Sequence, residues 1–446
     1  MILALDLGST SFKAAVVDGA LRILGIGHGA IRHRYRPGGR VELDPSDASE
    51  ALGHAIRAAL KESAIGSNAL KAVGLTSQAQ TFTVTDTRGR PRIPFISWQD
   101  SRARTTCAEL AAAPGMADIP QHSSFGSLIP ALQICQLHHL QSTRPGMLKA
   151  RAGTRVLPLP SFFVREWTGA YVTDDNQAAM TGLFSLATGS WWPTALRNCQ
   201  LEETQLPKVV PIGSVAGLTG LQAKSHSLPE GIPVILAGND QTAGAVAAGL
   251  DRQHGLLITL GTAQVAYAFK SRLPGPDPAL IRGPYPGGGF YSMAADSCGG
   301  NVLNWARSVI AGCETEQAFF ELAALAPPGC NGLVLKPVGV DGAFSWENVG
   351  LNHIPSDFAR SVIECLTSRM SLMVRNVTRN RPPARILVAG GGSASRFWIR
   401  LLQQAVGAKL TQADAQPVLG AARIALANIA LPLPLTAGRR SSRDRA

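Results

Sequence analysis

One pattern limits more than any other what this chain can fold into. A short apolar run, Ile2–Leu5, meets the polar turn Asp6-Leu7-Gly8-Ser9-Thr10-Ser11 and resumes as Phe12–Val17. Much later the same succession returns over Gly255–Phe269, where Ile258-Thr259-Leu260-Gly261-Thr262 matches Leu5-Asp6-Leu7-Gly8-Ser9. Each stretch reads as strand, tight turn, strand. One such hairpin opening each half points to an internal duplication. With 446 residues the chain has room for roughly two to four domains. The boundary is expected near Leu250.

The elements between the hairpins alternate in type. Asp44-Pro45-Ser46 is turn chemistry, and Ala48, Ala51, Leu52, Ala55, Ile56, Ala59 and Leu60 then recur at helical spacing, within Val41–Leu60. Ala72–Thr76 reads as a buried strand, and Thr81–Thr85 as another that turns at Thr87-Arg88-Gly89. Phe162–Trp167 is a short helix ended by Gly169. Val234–Ala237 is a strand stopped by Gly238-Asn239-Asp240, and the small apolar residues of Gln241–Leu250 predict a closely packed helix. Asn301–Gly312 is helical. Ser356–Asn376 is a long helix, with Ser356 as N-cap and Phe358, Val362, Ile363, Leu366, Met370, Met373 and Val374 on one face. After Pro382-Pro383 come a strand (Arg385–Ala389), a loop (Gly390–Ser393) and two helices (Ser395–Val406, Val418–Ala430). The fold class is α/β.

Composition removes alternatives. At 45% hydrophobic and 16% charged residues, the chain can bury large cores and is not disordered. No uninterrupted apolar stretch approaches the ~18 residues of a membrane span; Ile424–Leu435 is broken by Asn428, Pro432 and Pro434. MILALDLGST has no basic leader and meets Asp6 at once, unlike a secretory signal. Seven scattered Cys, without CxxC or zinc spacing, fit a reducing cytoplasm. The net charge of +12 permits nucleic-acid binding, but few aromatics interleave with the basic residues, so none is expected. An anionic ligand such as a nucleotide explains the charge as well.

Four further places carry candidate chemistry. The first turn sets three hydroxyls and a glycine at one tip, a concavity suited to phosphate, with Lys13 close by and Asp6 able to hold Mg²⁺ through water. It reads equally as an ordinary hairpin with a solvated acid. Asp240 lies between a strand end and a helix N-terminus, where the dipole favours its ionised form; it is a candidate base, or merely an N-cap. Trp98 offers an apolar face to a sugar, and Asp100 with Arg102 offers either hydroxyl partners or a structural salt bridge. Gly390-Gly391-Gly392 lets a planar base approach the backbone, or is a bare turn. There is no P-loop.

Taken in order, DLGSTSFKA, ISWQDSRA, GNDQTAGAVAAGL, LITLGTA and VAGGGSASRFW resemble the motifs of the FGGY carbohydrate kinases, within the actin/hexokinase/Hsp70-like ATPases. The resemblance runs from about Met1 to Ala430. It implies two actin-like (ribonuclease H-like) domains, 1–250 and 251–435, flanking a cleft for ATP and sugar, with a basic tail at 436–446. It implies Asp240 as catalytic base and Asp6 as a water-mediated Mg²⁺ contact. ATP would lie near Asp6, Gly8, Ser9, Thr10, Ser11, Lys13, Gly261, Thr262, Gly300, Asn304, Gly391, Gly392 and Ser395. The substrate would meet Gln78, Gln80, Trp98, Asp100, Asp240 and Gln241. Departures cluster on the substrate side. Ala79-Gln80 replaces both the Arg-Glu of glycerol kinases and the Met-His of xylulokinases, Ser161 replaces a frequent lysine, and Val338–Glu347 is a shortened loop. Glycerol is thereby disfavoured. The expected activity is ATP-dependent phosphorylation of a sugar or polyol, a ketose of the xylulose or ribulose type among them, in the cytoplasm; a homodimer is left open. The alternatives are a non-catalytic sugar- or nucleotide-binding regulator of the same fold and an actin- or chaperone-like ATPase.

Overall fold

The structure is a computed structural model that describes residues 1–149, 153–253, 255–310, 313–338 and 343–429. The tail at 436–446, the end of the expected second unit at 430–435, and the centre of the Val338–Glu347 loop lie outside the described residues.

Two six-stranded sheets organise the chain. The first contains β1 (Ile2–Leu7), β2 (Ser11–Val17), β3 (Ile23–Ala30), β4 (Ala72–Ser77), β5 (Val215–Leu218) and β6 (Pro233–Asn239), in the order β5-β6-β4-β1-β2-β3. The second contains β7 (Leu256–Leu260), β8 (Gln264–Lys270), β9 (Ile281–Tyr285), β10 (Gly289–Asp296), β11 (Arg385–Ala389) and β12 (Lys409–Gln412), in the order β9-β10-β8-β7-β11-β12. Five strands of each sheet superpose in logic. β1 pairs antiparallel with β2 and parallel with β4, as β7 pairs antiparallel with β8 and parallel with β11. β2–β3 and β8–β10 are antiparallel; β4–β6 and β11–β12 are parallel. The duplication expected from the two hairpins therefore extends through five strands with the same pairing signs.

Each sheet is apolar on both faces, so each needs two covers. Helix α1 (Pro45–Ser63) covers one face of the first sheet, with Leu52, Ala55, Ile56 and Ala59 against Leu3, Leu5, Phe12 and Val16. Asp44 caps it by accepting from Ser46 N at 3.0 Å. α2 (Asp175–Ala179) and α3 (Asp240–Ala247) flank β6. In the second half come α4 (Gly300–Val309), α5 (Pro355–Thr378), α6 (Arg396–Val406) and α7 (Pro417–Asn428). α5 covers one face of the second sheet, with Val362, Ile363, Leu366, Met370 and Val374 buried as its periodicity requires. Its N-cap is Ile354, not Ser356. Asp357 accepts from Ile354 N at 3.0 Å, and Ser356 is already inside the helix, where Pro355 starts it.

The remaining faces are covered crosswise. α7 follows the last strand of the second sheet, yet its Val418, Ala421, Ala422, Ile424 and Ala425 pack on Ile2, Ala4, Ala15, Val17, Ile235 and Ala237 of the first. α3 follows the first sheet, yet Ala245 packs with Leu257, Val265, Tyr267, Tyr291 and Met293 of the second. Where the two helices cross, only glycine fits: a Cβ on Gly420 would lie 1.8 Å from the Ala243 carbonyl oxygen, and one on Gly244 2.9 Å from that of Ala415.

Candidate active site

Three parallel strands of the first sheet end side by side. In register, Leu7 lies beside Ser77 and Ser77 beside Asn239. The next residues, Gly8, Gln78 and Asp240, therefore emerge together at the carboxyl edge, where α/β sheets bind ligands. Gln78 ties the edge together: its N–H donates to Leu7 O at 2.9 Å and its Nε2 to Gly8 O at 3.2 Å.

Asp6 lies on β1 directly across from Lys13 on β2. Its carboxyl is pushed up to about 7, chiefly by burial and then by the nearby charge of Asp240, with Lys13 opposing. Its Oδ1 is buried and finds no hydrogen-bond donor. Asp240 is pushed up to about 6 by burial. This overturns the expectation of a low value at a helix N-terminus. The amide of Gln241 does donate to Asp240 Oδ1 at 2.8 Å, but loss of water outweighs that help. Asp240 is not the N-cap either. Asn239 holds that place, accepting from Thr242 N at 2.8 Å, and Asp240 opens the helix. β6 runs on through Gly238, whose φ of +69° and contact with Asn176 exclude a side chain.

The hairpin tips differ in what they meet. At the first, Ser9 Oγ accepts from Trp98 Nε1 at 3.0 Å, which joins the phosphate candidate to the sugar candidate; Ser9 and Ser11 are half-buried and Thr10 is exposed. At the second, the N-terminus of α4 docks on the turn: Gly300 N donates to Gly261 O at 2.8 Å and Asn301 N to Thr262 O at 3.2 Å. Asn304 is exposed one turn further along α4. In the triple glycine, a Cβ on Gly390 would strike Leu260 O at 2.5 Å and one on Gly392 would strike Trp398 at 2.5 Å, whereas Gly391 faces open space. Gly392 is thus a packing residue beneath Trp398, and Gly391 alone of the expected pair is open to a ligand. Ser395 caps α6 by accepting from Trp398 N.

On the substrate side, Trp98 is exposed and Gln80 and Gln241 are half-buried. Gln80 has φ +67°, an uncommon conformation for a residue with a side chain. Asp100 departs from expectation. Its side chain has no exposed surface, and both oxygens are engaged, by Arg102, Val41 N and Gln136 Nε2. Arg102 also pairs with Glu42 at 2.6 Å. Of the two readings open for this pair, the structure contains the salt bridge, so Asp100 shapes the loop carrying Trp98 and offers no free oxygen to a substrate.

The sequence reading missed Asn176, Gln177 and Tyr267. Gln177 Nε2 donates to Ser77 O and Gly238 O, and Thr76 Oγ1 donates to Gly238 O at 2.9 Å. The polar run Asp174–Gln177 in an apolar neighbourhood was the available signal. No group of three or more potential metal-ligating side chains exists among the described residues, and no helix there is long and apolar enough to cross a membrane.

Comparison with known proteins places the chain in a family. The model of the FGGY family of carbohydrate kinases, N-terminal domain, matches residues 1–247, and that of the C-terminal domain matches 256–429. A xylulose kinase of Staphylococcus epidermidis is 23% identical over 441 residues, covering 95% of this chain and 87% of the relative. A glycerol kinase of Aromatoleum aromaticum is 27% identical over 435 residues, covering 91% and 85%. The crystal structure of a ligand-bound xylulose kinase from Lactobacillus acidophilus superposes with a TM-score of 0.88 at 21% identity, covering 97% of this chain and 90% of that one.

Proposed function

The chain belongs to the FGGY family of carbohydrate kinases, and from that premise we propose that it phosphorylates a hydroxyl of an uncharged ketose or polyol from ATP, with Asp240 as the base. The observation that carries this reading is that Asp6 on β1 and Asp240 after β6 come to the same carboxyl edge on either side of β4, where burial holds both carboxyls above the ordinary value, the second at about 6. A carboxyl near the working pH is a better proton acceptor than one at the ordinary value.

The acceptor hydroxyl gives its proton to Asp240 as its oxygen attacks the γ-phosphorus in line. The bond from that phosphorus to the β,γ-bridging oxygen breaks, and ADP leaves. The amides and hydroxyls of Gly8, Ser9, Thr10 and Ser11, with Lys13, hold the phosphates from one side, and Gly261 and Thr262 from the other. Gly300, Asn304, Gly391 and Ser395 border the nucleoside. Magnesium fits the donor set, because the buried Asp6 Oδ1 lacks any donor and a carboxylate there calls for a cation. Asp6 would hold it through water, and it would offset the phosphate charge. Gln78, Gln80 and Gln241 give the sugar side neutral amides, and Trp98 gives it an apolar face. The relatives' names, xylulose kinase and glycerol kinase, support a polyhydroxy acceptor; Ala79-Gln80 carries neither the Arg-Glu of glycerol kinases nor the Met-His of xylulokinases, which speaks against glycerol and does not single out xylulose. A cytoplasmic location accords with a reaction fed by ATP.

A panel of ketoses and polyols, read by ADP release and product mass, tests this. One acceptor giving a phosphate ester is expected. Sugar binding by calorimetry without any product would replace this reading with that of a non-catalytic sensor.

A further inference from the structure

We propose that Asn176, Thr242 and Tyr267 are positioning residues that hold the Asp240 turn from both halves of the molecule at once; this rests on the kinase reading above. The three side chains form one buried chain of hydrogen bonds. Asn176 Oδ1 accepts from Asn239 N at 2.9 Å, the residue just before Asp240. Asn176 Nδ2 donates to Thr242 Oγ1 at 3.0 Å and to Pro284 O at 2.8 Å. Thr242 Oγ1 is 2.9 Å from Tyr267 Oη. Asn176 and Thr242 belong to the first half, whereas Pro284 on β9 and Tyr267 on β8 belong to the second. The turn is thus fixed by its own sheet and by the opposite one.

Three observations separate this from ordinary packing. Asn176 and Thr242 have no exposed surface and Tyr267 has 1%, so the bonds are shielded from water. Tyr267 otherwise sits in an apolar cluster, stacked on Tyr291 at 4.8 Å, where a phenylalanine would pack as well. The network also brackets the base, touching residues 239 and 242 on either side of it. Asp240 consequently sits where the two halves are joined.

The test uses the full chain with D-xylulose, D-ribulose and glycerol as acceptors. Thr242→Val keeps the shape and removes the hydroxyl, Tyr267→Phe removes the phenol, and Thr242→Ser restores the oxygen. Because a misplacement of about 1 Å can lower rates ~10²-fold, Thr242→Val and Tyr267→Phe should each lower kcat about 10-fold or more, with both KM values within about twofold. Thr242→Ser should recover most of the loss. The Asp240 carboxyl, followed by ¹³C NMR and assigned with Asp240→Asn, should titrate at a different pH in Thr242→Val than in the parent, because the turn that carries it is no longer held in place. Parental kcat and an unmoved titration in both variants would overturn the proposal, as would Thr242→Ser behaving like Thr242→Val. If no acceptor of the three turns over, the titration decides alone. Asp240→Asn separates the two readings. Its turning over normally refutes Asp240 as base, whereas its inactivity beside a normal Thr242→Val refutes only the positioning role.

Discussion

Burial of the Asp240 and Asp6 carboxyls bears on stability as well as on the proposed chemistry. If Asp240 accepts the proton, Asp240→Asn should lower kcat by about 10²–10⁴-fold with ATP affinity retained, measurable by initial rates beside nucleotide titration. For the parent, kcat/KM should fall as the pH drops through about 6, where the carboxyl becomes protonated. The stability trend runs the other way. Burial raises both groups above their unfolded value of 3.8, so between about pH 4 and 7 the folded chain holds more protons than the unfolded one, and stability declines as pH rises through that window. Asp6→Asn and Asp240→Asn should each melt higher than the parent at pH 8, with the advantage shrinking at pH 5. A pH-independent difference would contradict desolvation as the cause. None of this could be read from the neighbouring residues. Sequence shows the helix start beside Asp240 but not the atoms that later exclude water from it, and Asp100 looked available because its partners Val41 and Gln136 are far away in the chain.

At the scale of elements, what was legible is what repeats locally. The hairpins, α1 and α5 follow from apolar spacing and turn chemistry, and the Asp44 cap from its own residue and the two after it. The Asn176–Thr242–Tyr267 network was illegible because each partner comes from a different element. The crossing of α3 and α7 is another such case, since small residues on a helix do not reveal which sheet it will cover. Its demand on shape is nevertheless strict. Gly420→Ala would drive a methyl into the Ala243 carbonyl, 1.8 Å away, so the helices must separate. We expect a loss of about 1–3 kcal/mol in denaturant unfolding, the range for overpacking, whereas Ala422→Gly on the same helix should lose only about 1 kcal/mol of helix propensity plus its small contact.

Across the whole molecule, the halves are also clasped away from the crossing. Arg282, 5% exposed, donates Nη2 to Pro120 O at 2.6 Å and to Gln121 O at 3.1 Å, and donates Nη1 to Pro274 O. Its backbone N–H meets Ser124 O, and Phe125 bridges Ile281 beside it. Burial lowers the pKa of its guanidinium. Arg282→Met would remove these three bonds, and at about 0.5–1.5 kcal/mol for each hydrogen bond lost the melt should shift below that of the parent. An unchanged melt would show the clasp to be dispensable.

The crosswise helices also bear on how the chain comes off the ribosome. Ile2, Ala4, Ala15, Val17 and Ala72 are made well before their cover, α7, the last described helix. Until Pro417–Asn428 has been translated, that face has no native lid, so the nascent amino-terminal half should stay protease-sensitive or chaperone-bound. A polypeptide stopped before Pro417 should be aggregation-prone, and soluble protein should return when a peptide spanning 417–429 is supplied in trans.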